Sequence, residues 1–277
     1  MQPQRELGAF LRARRDGVAP DVLGLPADGS RRVPGLRREE VAAIAGVTAD
    51  YLRRVEQGSV IPSDTTLDAL ADGLRLERVE REHLQALADH ARGRQPLPRA
   101  DHAVRPGLLR TLQALAPTPA VALGRLCEVV AWNRTGAALD PAVAALPATQ
   151  RNIARRVALD PSARSLYPEW DALAQEVADV LRFNVARFPD DPELAALVDE
   201  LRRGSPEFER LWARRGVFAK TSGRKVIDQP DVGRLDLAYE SFDVTAAPGQ
   251  VLIVYTAEPG SPTAQRLDRL AALPSPA

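Results

Sequence analysis

Apolar side chains recur at helical spacing through the first ninety residues. Leu7, Phe10 and Leu11 share a stripe with Arg12, Arg14 and Arg15 off it, which predicts an amphipathic helix from about Arg5 to Arg15. Residues 17–36 hold Pro20, Pro26, Pro34 and four glycines, so an irregular loop follows, with a basic tip at Ser30, Arg31 and Arg32. A second helix is expected from Arg37 to Ala45, with Val41 and Ile44 inward and Gly46 as the left-handed residue that ends it. Thr48 caps a third helix, which turns Leu52 and Val55 to the core and stops at Gly58. Ser63 caps a fourth carrying Leu67, Leu70, Ala71 and Leu74, and Glu77 to His90 reads as a fifth, buried through Leu84, Leu87 and Ala88. These elements predict an all-helical domain over residues 1–90. The proline- and arginine-rich stretch after it predicts a linker over 91–104.

From there to residue 277 the periods are mixed. PAVALGRLCEVVAWN, residues 119–133, reads as two strands joined at Gly124. Helices are expected at 151–159, 170–188 and 192–203, the long one presenting Leu173, Val177, Val180, Leu181 and Val185 on one face. Ser205 caps a helix with Phe208, Leu211 and Trp212. VFAKTSGRKVI predicts strand with a turn at Ser222 and Gly223, RLDLAYESFDVTA another strand, and QVLIVYTAE a third after the Pro248–Gly249 turn. Both alternating sets of QVLIVYT are apolar, so that strand is expected at the centre of a sheet, covered on both faces. A helix from Ser261 to Leu273 closes the chain. Residues 105–277 therefore predict a mixed α/β domain with an antiparallel sheet.

Composition narrows the function. Two domains fit 277 residues, and 45% hydrophobic with 27% charged residues is ordinary for a globular protein. The 37 basic and 37 acidic residues cancel, so any polyanion must be met by a local patch. Over residues 1–58 ten arginines face eight acids, a margin of +2. Cys127 stands alone and excludes an intrachain disulfide. No apolar run reaches the roughly 20 residues that span a bilayer, and the N-terminus lacks a signal-peptide pattern; a cytoplasmic protein is expected, with no membrane partner. His83, His90 and His102 lie in or near the linker without metal-ligand spacing, and neither a Gly-x-Ser-x-Gly elbow nor a phosphate- or flavin-binding fingerprint appears. Neither catalysis nor a cofactor or metal is expected.

The chemistry concentrates in GLRREEVAAIAGVTADYLRRVEQG, residues 35–58. Two short helices joined by a tight glycine turn form the unit that lays its second helix in the DNA major groove. Arg37 and Arg38, with the exposed amides of the first helix, suit phosphate. Thr48, Ala49, Asp50, Tyr51, Arg53 and Arg54 would face the bases, where an arginine fork can grip guanine O6 and N7. Asp50 would accept from cytosine N4 or fix an arginine. The same pattern also describes a helical hairpin with a solvated charged face.

Leu7 to Leu76 resembles the helix-turn-helix domain of the XRE family of bacterial repressors, relatives of the phage Cro and repressor proteins, and AGVTADYLRRVEQG is similar to that family's signature. The resemblance implies a lambda-repressor-like bundle, a double-stranded DNA operator, and a structural ion pair between Arg15 and Glu56, with Arg14 the alternative to Arg15. Arg105 to Leu270 resembles the ligand-binding domain of MmyB-like transcription regulators, through PTPAVALGR, VVAWNRTGAAL, QRNIARRVALDPSARSLYPEW, SPEFERLW, SGRKVIDQPDVGRLDLAYESF and YTAEPGSP. That family has a PAS-like sheet crossed by helices. The resemblance implies a sensor of an apolar or fatty-acid-like small molecule and a homodimer.

Candidate ligand residues are Trp132, Asn133, Asn152, Trp170, Trp212 and Tyr239, large side chains with polar ends that read equally as core or strand-end bonds. Arg151 with Asn152 would receive a carboxylate or else cap and pair on a helix surface. Two positions depart from the families: Leu52 follows Tyr51 where a second aromatic is usual, and Gln229 precedes Pro230 where histidine is frequent. The expectation is a two-domain, sequence-specific DNA-binding regulator. The alternative is a protein interaction module that uses the helical bundle as a docking surface.

Overall fold

A computed structural model of the chain describes residues 3–24, 35–95, 103–219 and 221–273. The basic tip at Ser30, Arg31 and Arg32 and the middle of the expected linker lie outside the described residues. The described residues of Met1–Pro96 with Ala186–Asp190 form one compact unit, and those of Leu97–Val185 with Asp191–Ala277 a second.

The N-terminal unit holds α1 (Pro3–Gly17), α2 (Arg38–Ile44), α3 (Ala49–Glu56), α4 (Asp64–Gly73) and α5 (Arg78–Ala91). α1 packs on α3 and α5, α2 on α3 and α4, and α4 on α5. Each helix buries the stripe its spacing dictates: Leu7, Phe10 and Leu11; Leu52 and Val55; Leu67, Leu70 and Ala71; Leu84, Leu87 and Ala88. Ile44 departs from expectation. It is 48% exposed, and the buried pair on α2 is Val41 with Ala42. His83 is buried too, its ring edge-on to Phe10 with centroids 4.8 Å apart.

The second unit opens with α6 (Pro106–Ala114), a helix begun by a proline at its first position and buried through Leu112. β1 (Ala120–Leu123) and β2 (Val129–Trp132) follow, then α7 (Arg134–Ala138), α8 (Pro141–Ala144), α9 (Ile153–Leu159), α10 (Ala163–Leu166), α11 (Trp170–Arg187), α12 (Pro192–Gly204) and α13 (Pro206–Ala213). β3 (Ser222–Gln229), β4 (Gly233–Asp243), β5 (Val251–Thr256) and α14 (Pro262–Ala272) complete the chain. The strands form one antiparallel sheet in the order β2-β1-β5-β4-β3. β5 is central, as its unbroken apolar run predicts. This is the mixed α/β arrangement with an antiparallel sheet expected from the pattern.

Cross-strand partners share a face, so the register sorts the side chains. One face carries Val121 opposite Ile253, Tyr239 opposite Tyr255, and Lys225 opposite Leu237. The other carries Ala122 opposite Leu252, where Ala120, Ala122, Leu252 and Leu112 of α6 make a compact cluster. Ser222 and Gly223 do not form the expected turn; they begin β3. A Cβ at Gly223 would come within 2.8 Å of the Tyr239 hydroxyl, so glycine is there to admit the tyrosine across the strand pair.

Candidate nucleic-acid interface and ligand cavity

α2 and α3 are joined by a turn at Gly46, whose φ of 65° is the left-handed conformation glycine adopts at low cost. At the start of α2 the Arg37 amide donates to Glu40 Oε2 at 2.6 Å. At the start of α3 the Thr48 hydroxyl accepts from the Tyr51 amide at 3.1 Å, capping the helix. With Leu52 and Val55 turned inward, Asp50, Arg53 and Arg54 are exposed, while Ala49 and Tyr51 lie half-buried at the flanks. The Arg53 guanidinium donates to Asp50 Oδ1 from Nε at 3.1 Å and Nη2 at 2.6 Å, and to Gln57 Oε1 from Nη1 at 2.9 Å. Of the two roles read for Asp50, the free chain has it fixing an arginine.

The attitude of α3 is set from behind by Glu56, whose side chain is only 3% exposed. Arg15 of α1 donates to it from Nε at 2.6 Å and also to the Leu36 carbonyl at 2.8 Å. Burial opposes the Arg15 charge, but the bond to Glu56 and the charges of Glu56 and Asp16 outweigh it and raise the guanidinium's pKa above its ordinary value. Arg14 turns instead to Glu80 of α5. Arg38 reaches the second Glu56 oxygen at 2.7 Å from the rim, with 38% of its side chain exposed. One carboxylate thus joins α1, the start of α2 and the end of α3. Backbone contact reinforces the joint: a Cβ at Gly8 of α1 would lie 2.5 Å from the carbonyl oxygens of Val55 and Glu56.

In the second unit a cavity of about 50 Å³ lies on the face of the sheet that carries Val121, Leu123, Lys225, Ile227 and Tyr255. Trp132, Leu139, Val143, Ile153 and Leu173 complete its apolar wall. At roughly 10–15 Å³ per water it has room for about three to five waters. Its polar groups are few. The Asp140 carboxylate accepts from Arg156 Nε at 3.0 Å and from the Tyr167 hydroxyl at 3.0 Å, and also caps α8 through the Val143 amide. Burial, with Asp140 adding to it, pushes the Tyr167 hydroxyl well above its usual pKa. Lys225, 9% exposed, lies with its Nζ 3.9 Å from Glu176 Oε2.

Among the residues expected to touch a ligand, Trp132 alone lines this cavity. Asn133 and Asn152 are helix caps: Asn133 Oδ1 accepts from the Gly136 amide at 2.8 Å, and Asn152 Oδ1 from the Arg155 amide at 2.9 Å. Arg151 donates to the carbonyls of Leu146 and Ala144 and lies over the Trp132 ring at 4.8 Å. Trp170 donates its indole N–H to the Val157 carbonyl, and Trp212 stacks on Phe208 beneath Arg182. Tyr239 is one ring removed, edge-on to Tyr255. Gln229, noted above as a departure from the family pattern, is buried and closes the β3–β4 turn, accepting from the Asp231 and Val232 amides.

The residues that reasoning from sequence missed are Asp140, Tyr167 and Lys225. Lys225 had a signal, since it shares one face of its strand with Ile227. Asp140 precedes a proline that starts a helix, which reads as a cap and nothing more.

Among the described residues no group of three or more histidine, cysteine, aspartate or glutamate side chains is arranged to hold a metal ion, and no helix is long and apolar enough to cross a membrane. Compared with known families, residues 104–270 match the MmyB-like transcription regulator ligand binding domain, and residues 6–84 match a helix-turn-helix domain. Neither is an enzyme family. No curated protein matches the chain.

Proposed function

The chain belongs to the MmyB-like transcription regulators, DNA-binding proteins with a ligand-sensing domain, and from that premise we propose how its two units divide the work. α3 enters the major groove of an operator and reads it with side chains from Thr48 to Arg54, while Arg37 and Arg38 at the start of α2 meet phosphates. The observation that carries this reading is the exposed arginine pair Arg53 and Arg54 on a capped helix whose opposite side is locked to α1 through Glu56. A homodimer would present two such helices to half-sites about one helical turn, ~10 bp, apart.

The cavity takes the head of a small amphiphile with an acidic group, fatty-acid-like in character. Support comes from its apolar wall and from Lys225, a buried cation on the strand that lines it. Its present volume suits a head group and a short tail, so a longer chain must part the helices that line it. Ligand then acts by population shift, favouring one state of the regulator by its differential affinity.

Selection of genomic duplex fragments by the purified protein at fixed salt, followed by sequencing, tests the first half. Enrichment of a short two-fold symmetric site supports a dimeric operator-binding regulator. Absence of any enrichment, with and without short- and long-chain carboxylates, would favour the docking-module alternative. For the second half, tryptophan fluorescence of a Trp170→Phe, Trp212→Phe variant, which keeps Trp132 at the cavity, is titrated with saturated carboxylates of increasing length; no change at any length would sink the acidic-ligand reading.

A further inference from the structure

We propose that Asp50 is a positioning residue for base readout, orienting Arg53 toward guanine. The inference rests on the reading of α3 as the groove helix. A guanidinium has five N–H donors in a fixed plane. In Arg53 two of these, on Nε and Nη2, go to Asp50 Oδ1 at 3.1 and 2.6 Å, and one, on Nη1, goes to Gln57 Oε1 at 2.9 Å. Three are used, and one N–H remains on each terminal nitrogen. That remaining pair is the fork that grips guanine O6 and N7.

Asp50, Arg53 and Gln57 occupy positions i, i+3 and i+7, so the two acceptors brace the arginine from one turn before and one turn after. Arg54 is exposed and has no side-chain hydrogen bond or ion pair among the described residues. It must give up rotamer freedom on meeting DNA, whereas Arg53 has already given up most of its own. The bond does little for the fold, since 46% of the Arg53 side chain and 66% of that of Asp50 are exposed. A carboxylate on a surface that faces phosphates also repels them. Its presence there fits a gain in selectivity at the expense of general affinity.

The test is Asp50→Ala in full-length protein, read by the base-preference profile from a randomised duplex pool and by affinity for random duplex at the same salt. Wild-type protein should prefer guanine at one position of each half-site, and D50A should lose about tenfold of that preference. Its affinity for random duplex should rise, an opposite sign that a merely misfolded protein would not give. Asp50→Asn keeps one acceptor oxygen and should fall between the two. Thermal unfolding of D50A should match wild type.

A D50A profile unchanged from wild type, or a uniform loss over all sequences, would overturn the assignment while leaving DNA reading intact. If wild-type protein itself selects no site, the reading of α3 falls and this inference falls with it.

Discussion

Glu56 in the N-terminal unit and Asp140 in the C-terminal unit are both buried carboxylates held by arginine, in different settings. Glu56 takes the buried Arg15 on one side and Arg38 on the other, and the 38% exposure of the Arg38 side chain means that the network ends at the molecular surface. Asp140 takes Arg156, only 6% exposed, and the Tyr167 hydroxyl, so its network borders the cavity and reaches the surface only one step further on, through Asp160. The first arrangement makes a rigid back for an exposed helix. The second lines a cavity with satisfied polar groups, which lets a polar end face a mostly apolar space without an unpaired charge.

The largest effect expected from breaking this comparison is at Glu56. Glu56→Ala leaves Arg15 buried with only Asp16 and the Leu36 carbonyl, and should destabilise the N-terminal unit by about 3–5 kcal/mol in chemical denaturation. Asp140→Ala should cost less, about 2–3 kcal/mol, because Arg156 keeps Asp160 at 2.7 Å and Ser162 at 2.8 Å. Equal losses, or a larger one at Asp140, would show that the network beside the cavity depends on its carboxylate more than the partners suggest.

Next in size is Gly8→Ala. The new methyl would sit 2.5 Å from two carbonyl oxygens of α3, so α1 must shift, at about 1–3 kcal/mol. Because the joint sets α3, operator affinity should fall beyond what the lost stability explains. Ile44→Ala should cost within about 1 kcal/mol, against roughly 2–5 kcal/mol for a buried large aliphatic such as Leu52. Denaturation midpoints for both variants would check whether the open side of α2 is as lightly packed as its exposure indicates.

The two units also differ in how far their residues explain themselves. Helical stripes are local, and the capped helices with buried Leu52, Val55, Leu67 and Leu70 follow from spacing alone. The error at Ile44 arose because a short helix has two candidate inward stripes, and α4 meets it with Gly73, which has no side chain to cover it. In the second unit the important pairings are distant in sequence. Asp140 and Tyr167 meet through packing of short helices, and α6 was hidden inside a proline-rich stretch although Leu108, Leu112 and Leu115 keep helical spacing. Gly223 was taken for a turn because its partner, Tyr239, is known only once the register of β3 and β4 is known. Asn133 and Asn152 looked like ligand contacts for the same reason: a cap is recognisable only when its helix is.

The smallest effect expected is one of pH, and it separates the units by sign. Asp64 of α4 is held down to about 2 by hydrogen bonds from Arg92, Arg94 and Gln85. Its contribution is complete above the ordinary carboxylate pKa of 3.8 and is lost as pH falls through about 2. Tyr167 shifts the other way. Burial raises its hydroxyl well above 10.0, so the folded unit keeps a proton that the unfolded chain releases. Stability should therefore be complete below pH 10 and decline as pH rises beyond it. Tyr167→Phe has no proton to release and should flatten the alkaline decline of the C-terminal unit, while Asp64→Asn should flatten only the acid limb of the N-terminal one. Unfolding midpoints recorded across the alkaline range for wild type and Tyr167→Phe decide the point. Parallel curves would mean that the hydroxyl ionises in place, and that Asp140 tolerates a second negative charge beside it.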